Sequence, residues 1–332
     1  MVVKLNIDKI GENMVGTKKQ ESITAKNGKA LKKPVSFIRI AFIISFIIIP
    51  TIHFLVTYVY VNIDSFIMAF RFTENGKTFW TFENFTTFYS ELFKQGSEMQ
   101  EAFRNTFLTF LIKEIMFVVS FFVSYFLYKK VPGYNIFRVC FFLPGIIAGT
   151  VVVNVYCRVM SQNGPIAPIV QLLMGLDYTP SLLSESEFVN KFILIEVIWL
   201  SFPSNMILFG GAFSRIPVSV LESAELDGVT WYQEAFRIII PMVWPTVSML
   251  MMMSIASVFG ATGDVFLITR GKKGTQTISC WMYLQIFNNP GVEYSNAYNY
   301  MSAIGLNLTV ISVGLALGLR KLSNKFFKDV QY

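Results

Sequence analysis

The chain has 332 residues, of which 53% are hydrophobic and only 15% charged, and its formal charge is +7. A soluble domain carries about a quarter charged residues, so lipid must replace water over much of the surface or the core must be unusually large. With a single histidine, His53, a histidine-rich metal site and a histidine-based catalytic triad are excluded. The basic residues lie at the ends of apolar runs, which favours a membrane protein over a nucleic-acid-binding one.

Residues 1–36 are polar and rich in lysine, and we interpret them as a cytoplasmic tail. Residues 37–332 then contain six apolar runs, and a helix needs about 20 such residues to cross hydrocarbon. The runs cover residues 40–61, 107–128, 137–157, 192–213, 242–268 and 300–319. The sequence therefore predicts an all-α, polytopic helical bundle with about six transmembrane helices.

The basic residues at the two termini decide the predicted orientation. Individual connections carry Lys and Arg on both sides of the membrane. Because the number of predicted spans is even, the lysine-rich tail and the basic cluster at residues 320–328 lie on the same side. Because Lys and Arg accumulate on the cytoplasmic side, we expect both termini in the cytoplasm. The aromatic stretch 78–88 then faces outward, either as an interfacial belt or as a docking surface for an external partner.

The connection between the fourth and fifth runs, residues 214–241, has the signals of two short helices. Ser219 with Glu222 has the form of a capping box, and Thr230 with Gln233 has the form of a second one. Gly228 lies where a left-handed turn would end the first helix, since glycine has no Cβ to hinder it. A structured connection of this kind indicates contact with another protein.

The same connection resembles the EAA motif in the membrane subunits of binding-protein-dependent ABC importers. The motif reads Glu-Ala-Ala, three residues, Gly, nine residues, then Ile-x-Leu-Pro. This chain has Glu222-Ser223-Ala224, Gly228 and Ile238-Ile239-Ile240-Pro241 in the same register, with two substitutions of small volume. Asp227 and Phe236 resemble the carbohydrate-uptake branch. Flanking sequences at Asn84-Phe85, Asn105-Thr106, Arg138 with 141–144, Gly164-Pro165 and 264–269 follow the order of maltose-type sugar permeases.

The resemblance implies a type I ABC importer permease with a coupling helix on its cytoplasmic face. The residues implied to couple to the ATPase are Glu222, Ser223, Ala224, Asp227, Gly228, Ile238 and Pro241. The chain lacks a Walker A sequence, so the resemblance assigns ATP and Mg²⁺ to two copies of a partner ATP-binding subunit, with no cofactor and no enzyme activity in this chain. A second homologous permease and an extracytoplasmic solute-binding protein complete the implied assembly in a bacterial cell membrane. The resemblance implies a heterodimer of permeases, although the sequence leaves a homodimer open.

Polar residues within the apolar runs are the candidates for a sugar path. A sugar site needs planar polar side chains and an aromatic face, which Asn154, Trp199, Asn205 and Asp264 could supply near the middle of the bilayer. Hydrogen bonding between helices is the competing explanation for each of them. Glu196 is expected to pair within the bundle.

Two alternatives to a sugar importer remain open at this stage. The first is a secondary transporter or channel that acts without an ATPase, although no internal repeat supports it. The second is an ABC importer permease for another small solute, such as a glycerol phosphate or a modified glycan fragment. A membrane enzyme is disfavoured, because no Ser/His, paired-carboxylate or metal-ligand pattern is present.

Overall fold

The computed structural model describes residues 37–74, 77–260, 263–272, 274–287 and 294–326. The predicted cytoplasmic tail 1–36 lies outside the described residues. The chain divides into two compact units, Met1–Val61 and Asn62–Tyr332. The described part of the first unit is helical, with α1 (Phe37–Phe54) followed by a wide π-helical turn (Leu55–Tyr60).

The second unit is built almost entirely from helices. Its elements, the first beginning at the boundary residue, are α2 (Val61–Ala69), β1 (Arg71–Glu74), β2 (Lys77–Trp80), α3 (Glu83–Phe93), α4 (Glu98–Tyr128), α5 (Tyr134–Ile146), α6 (Gly149–Val159), α7 (Ile166–Met174), α8 (Ser186–Phe213), α9 (Val218–Leu226), α10 (Trp231–Glu234), a π-helical turn (Ala235–Ile239), α11 (Ile240–Ala256), α12 (Gly263–Thr269), α13 (Ile278–Phe287) and α14 (Tyr294–Phe326). Strands β1 and β2 pair antiparallel and are an addition to the predicted all-α fold.

The described helices support the predicted number of spans. Five helical runs are long and apolar enough to cross a membrane, and α5 with α6 makes a sixth if the bent pair is one span. The prediction of a polytopic helical bundle with about six spans is therefore confirmed. Two of the helices are longer than their apolar runs, since α4 begins nine residues before residue 107 and α14 extends from Tyr294 to Phe326.

Two of the predicted spans are not continuous helices. The run predicted as 137–157 is divided into α5 and α6, whose axes are bent by 109°. The run predicted as 242–268 ends as α11 at Ala256 and resumes as α12 at Gly263. The first break follows Pro144, whose missing N–H weakens the last turn of α5, and Ile147 then takes an extended conformation.

Helix α5 lies very close to α8 at one point. A Cβ added to Gly145 would lie 2.6 Å from the Cβ of Pro203, a separation that real Cβ atoms essentially never show. Phe141 also stacks on Phe202 with ring centroids 5.2 Å apart. Glycine at position 145 therefore sets the approach of the two helices, because any side chain there would push them apart.

The core that positions the coupling segment lies between α4, α8 and α11. Phe121 contacts Phe209 and Phe213 edge-on, with ring centroids 5.2 and 5.3 Å apart. Ala235 and Ile239, in the π-helical turn after α10, belong to the same buried cluster. The segment is consequently packed into the bundle and is not a free loop.

The opposite end of the bundle carries the β-strand pair and α3. Asn84 is buried, and its Nδ2 donates to the carbonyl oxygens of Ala69 and Arg71 at 3.0 and 2.9 Å. These bonds fix α3 against the end of α2 and the start of β1. Trp80 and Phe82 are 69% and 70% exposed, whereas Phe88 is buried in the core, so only the first part of the predicted aromatic stretch 78–88 forms a surface at this end.

Candidate coupling segment and membrane cavity

The first helix of the candidate coupling segment, α9, starts differently from the prediction. It begins at Val218 after Pro217, and no side chain caps its first turn. The predicted capping box of Ser219 and Glu222 is therefore wrong, because Ser219 already lies inside the helix. Its carbonyl accepts from the Ser223 hydroxyl at 2.8 Å. Pro217 is itself the N-cap residue, with ψ of 130° in the extended region, so the helix begins one residue before Ser219.

The end of α9 agrees with the prediction. Gly228 has φ of +69°, in the left-handed region. The amide of Val229 donates to the carbonyl of Ala224 at 3.1 Å, and that of Gly228 donates to Glu225 at 3.1 Å. This is the pair of hydrogen bonds of a Schellman motif, which satisfies carbonyl groups left free at a helix end.

The second helix begins with the predicted capping box. The Thr230 side chain accepts from the backbone of Gln233, and the Gln233 side chain accepts from the amide of Thr230 at 3.1 Å. The helix widens into the π-helical turn Ala235–Ile239 and continues directly as α11. Pro241 cannot donate to a preceding carbonyl, which accounts for a local widening at this position.

An ion pair ties this segment to the end of α4. Lys129 Nζ lies 2.9 Å from Glu234 Oε2, and the Glu234 side chain is only 8% exposed. The hydroxyl of Tyr125 donates to the carbonyl of Trp231 at 3.3 Å, and the Trp231 ring contacts Phe126 at 5.6 Å. The sequence analysis missed these anchors, since Glu234 and Lys129 are 105 positions apart and neither belongs to a motif.

The motif residues are divided between an exposed surface and a buried face. Glu222, Ser223, Asp227 and Gly228 are exposed, Ala224 is buried, and Ile238 and Pro241 are half-buried. Leu226 is 89% exposed at the end of α9, although it is apolar. Sequence reasoning missed it, but an aliphatic residue next to a helix-ending Asp-Gly pair was an available signal.

A cavity of about 450 Å³ lies between α4, α8, α11 and the start of α12. Its lining residues are Lys113, Phe117, Glu196, Val197, Leu200, Ser201, Ser204, Asn205, Leu208, Leu250, Met253, Ser254, Ser257 and Asp264. A volume of this size is in the range of small-molecule sites in proteins. Its wall contains hydroxyl, amide and charged groups, whereas a void left by imperfect packing of membrane helices would be lined by apolar side chains.

The structure brings two of the four sugar-path candidates together. Asn205 and Asp264 both line the cavity. Trp199 lies elsewhere, against Tyr156 with ring centroids 6.2 Å apart, and is 39% exposed. Asn154 is exposed, and its Nδ2 donates to the carbonyl of Thr150 within its own helix.

Charged residues that were not among the candidates also line the cavity. Lys113 and Glu196 face it from α4 and α8. Glu196 is 1% exposed, and its Oε1 has no hydrogen-bond partner among the described residues, so the expected pairing within the bundle is not found for that oxygen. Glu114, beside Lys113, accepts from the hydroxyl of Ser254 in the cavity wall. A buried, charged residue in a membrane helix was the available signal for this group.

The described residues thus form a multi-pass bundle of membrane-length helices, with a folded, anchored segment at one end and a cavity lined by charged and hydroxyl side chains. No family model matches the chain. It is 27% identical to the multiple sugar-binding transport system permease protein MsmF of Streptococcus mutans, over 66% of this chain and 73% of the relative. It is 24% identical to the arabinooligosaccharides transport system permease protein AraP of Bacillus subtilis, over 82% of this chain and 85% of the relative.

The comparison with solved structures gives the same fold. A bacterial ABC transporter involved in the import of the acidic polysaccharide alginate matches with a TM-score of 0.69 and 19% identity, over 88% of this chain and 98% of that one. The fold is thus that of an ABC importer permease, and the chain's relatives are sugar ABC transporter permeases. The predicted resemblance to sugar ABC importer permeases is confirmed, and the assignment of residues 222–241 as the EAA motif stays a prediction.

Proposed function

We propose that this chain is one of two membrane-spanning subunits of an ATP-driven importer that moves an oligosaccharide into a bacterial cytoplasm. The observation that carries the proposal is the 214–241 segment, which is folded, anchored by Lys129 and Glu234, and exposes an apolar tip at Leu226. Sugar permeases among the relatives support the solute class. If a partner displaces the segment as a unit, the transmembrane helices packed against it move as well, and the bundle alternates between inward-open and outward-open states.

The partner proposed at the segment is an ATPase that binds ATP and Mg²⁺, while this chain holds no cofactor. In this proposal Leu226 enters a cleft of the ATPase, and the exposed Glu222, Ser223 and Asp227 surround it. Ala224 packs inward, Gly228 forms the turn between the helices, and Ile238 and Pro241 join the segment to α11. The assembly takes two copies of the ATPase, one for each permease.

The proposed solute path passes through the cavity bordered by Asn205 and Asp264. A second, homologous permease supplies the facing wall, in a heterodimer. A solute-binding protein docks at the end of the bundle that carries the exposed Trp80 and Phe82. With six spans and basic termini, both ends of the chain lie in the cytoplasm of a bacterial cell membrane.

Affinity purification of the chain from its native membrane tests this proposal. Recovery of an ATPase, a second permease and a solute-binding protein is expected, with ATP-dependent uptake after reconstitution in liposomes. Recovery of the chain alone, together with transport that requires no ATP, would overturn the importer and favour a secondary transporter.

A pair of variants locates the ATPase contact. Leu226→Glu adds a charge to the apolar tip, so it should abolish recovery of the ATPase without lowering the melting temperature of the permease. Leu172→Glu is the matched control, because Leu172 is 83% exposed on α7, distant in sequence from the segment. Equal recovery of the ATPase with both variants would remove Leu226 from the interface.

A further inference from the structure

A second, smaller cavity, of about 220 Å³, lies at the end of the bundle that carries the candidate coupling segment. We call it the basic cavity. It is lined by the last turns of α4, the first turns of α5 and the last turns of α8, through Ser124, Leu127, Tyr128, Lys130, Tyr134, Arg138, Phe142, Met206, Gly210 and Ser214. Sites that bury a whole small molecule measure about 300–1,000 Å³, so the basic cavity suits a group the size of a lipid headgroup and not an oligosaccharide.

The charged side chains in the wall of the basic cavity are both cations. Lys130 and Arg138 line it, and no Asp or Glu is among its described lining residues. Neither cation has an ion-pair partner in the described part of the chain, since Glu234 is paired with Lys129. Arg138 lies over the Phe142 ring at 5.6 Å, a contact that leaves its N–H donors available. The wall therefore presents two positive charges that the protein does not compensate.

The basic cavity also contains a hydroxyl that the protein leaves unused. Ser124 is 4% exposed, and its Oγ has no hydrogen-bond partner among the described residues. Ser120, one turn earlier, also lacks a partner but does not line the cavity. Buried polar atoms are almost always hydrogen-bonded, so an unpaired hydroxyl beside two cations calls for an acceptor. An anion supplies that acceptor and offsets the positive charges at the same time.

The backbone at Lys130 is a third, independent observation. Its φ is +55°, in the left-handed region, which Gly or Asn adopts at lower cost than lysine. Strain of this kind is concentrated at sites where a side chain serves a ligand. The carbonyl groups at the ends of α4 and α8 also favour cations here, but they leave the Ser124 hydroxyl without a partner.

We infer that the basic cavity binds a phosphate group, either the headgroup of an anionic phospholipid in the adjacent leaflet or a soluble phosphate ester. Arg138 offers a fork of donors to two phosphate oxygens, Lys130 adds a point charge, and the Ser124 hydroxyl donates to the same group. Basic pockets between membrane helices take phospholipid headgroups in this way, and the proposed orientation places this one at the anionic cytoplasmic leaflet. The inference does not depend on the importer proposal, because it concerns a different cavity and a different chemistry.

The basic cavity is adjacent to the anchors of the candidate coupling segment. Ser124 and Lys130 line the cavity, whereas the residues next to them, Tyr125 and Lys129, bond to the segment. A group bound in the cavity therefore restrains the same turns of α4 that hold the segment. Occupancy should consequently raise the melting temperature of the protein.

Thermal melting of the purified chain in detergent, titrated with phosphatidylglycerol or with inorganic phosphate, tests the inference. Phosphatidylcholine and sodium chloride at equal ionic strength are the matched controls for the two probes. A saturable rise in melting temperature with phosphatidylglycerol alone identifies a lipid site, and a rise with inorganic phosphate identifies a site for soluble phosphates. No saturable rise with either probe beyond its control overturns the inference.

Variants test whether the phosphate lies in the basic cavity. Lys130→Asn removes the charge and suits the left-handed backbone, so it should leave the empty protein at least as stable and weaken binding about 10-fold or more. Ser124→Ala removes only the unpaired hydroxyl and should weaken binding similarly, without lowering the melting temperature of the empty protein. Lys321→Asn is the matched control, because Lys321 is an exposed cation on α14 outside the cavity, and it should bind normally.

Two outcomes with the variants contradict the inference. Equal binding in all three variants would show that the probes are attracted by the general positive charge of this end. Loss of the ATPase from Lys130→Asn preparations, with no phosphate binding by the unaltered chain, would assign the cations to a protein contact instead.

Discussion

The ion pair between Lys129 and Glu234 can be tested by Lys129→Gln, which leaves the Glu234 carboxylate buried without its partner. At 2.9 Å and an effective dielectric constant of about 20, the gross attraction is about 6 kcal/mol. The net loss is smaller, because Lys129 remains 33% exposed and water screens part of the charge. Breaking a fully buried pair costs about 3–5 kcal/mol, so we expect about 2–3 kcal/mol here.

The expected loss corresponds to a fall of roughly 5 °C or more in the melting temperature of the purified protein in detergent. Glu234→Gln should cost less than Lys129→Gln, because it removes the buried charge and leaves a lysine that can still reach solvent. The double variant Lys129→Gln/Glu234→Gln should resemble Glu234→Gln. This order separates a buried charge pair from ordinary packing.

The ion pair also has a predicted effect on transport. If it holds the coupling segment to α4, Lys129→Gln should lower the number of solute molecules imported for each ATP hydrolysed more than it lowers ATP hydrolysis itself. Uptake and phosphate release measured in the same proteoliposomes give this ratio. Melting temperatures within 1 °C of wild type for both single variants, with an unchanged ratio, would refute the reasoning.

Three further predictions concern the backbone of the segment and its neighbours. Gly228→Ala and Gly228→Leu should both cost about 1 kcal/mol, because the cost arises from φ of +69° and no atom lies within 4 Å of the added Cβ. Both should reduce uptake while the protein still inserts, and normal uptake would contradict a role of this turn in coupling. Thr230→Ala should lower stability by about 1 kcal/mol through loss of the cap, whereas Ser219→Ala should be nearly neutral, and equal melting temperatures would count against the capping box. Gly145→Ala should destabilise by about 1–3 kcal/mol through overpacking against α8, in contrast to Gly210→Ala, where no atom lies within 4 Å, and thermal melting distinguishes the two.

Local signals in the sequence were sufficient for the span count and for much of the coupling segment. Apolar runs of membrane length identified six spans, and Gly228 and Thr230 marked the turn and the second cap correctly. The turn and the cap depend on residues within five positions of each other, and a span on one continuous apolar run, which is why a sequence displays them. Ser219 failed as a cap because Pro217, two residues earlier, is the N-cap.

Features that depend on distant residues could not be read in the same way. The 109° bend between α5 and α6, which follows Pro144 and the extended Ile147, was also missed, because apolarity alone showed one continuous span. The cavity joins Lys113, Glu196 and Asp264 from three helices, and no spacing rule predicts that meeting. Their burial could be anticipated, but not their mutual placement.

The direct passage of α10 through the π-helical turn into α11 has a mechanical consequence. From Ile240 to Ala256, α11 is a rod of 17 residues, about 25 Å long. The buried carboxylate of Glu234 lies just before one end of this rod, and Ser254 in the cavity wall lies at the other. Helix α9 is joined to α10 through the left-handed turn at Gly228, and its Ala224 is buried against the bundle. The rod is continuous with α10 and not with α9, so a push on Leu226 reaches the cavity only when α9 and α10 move together.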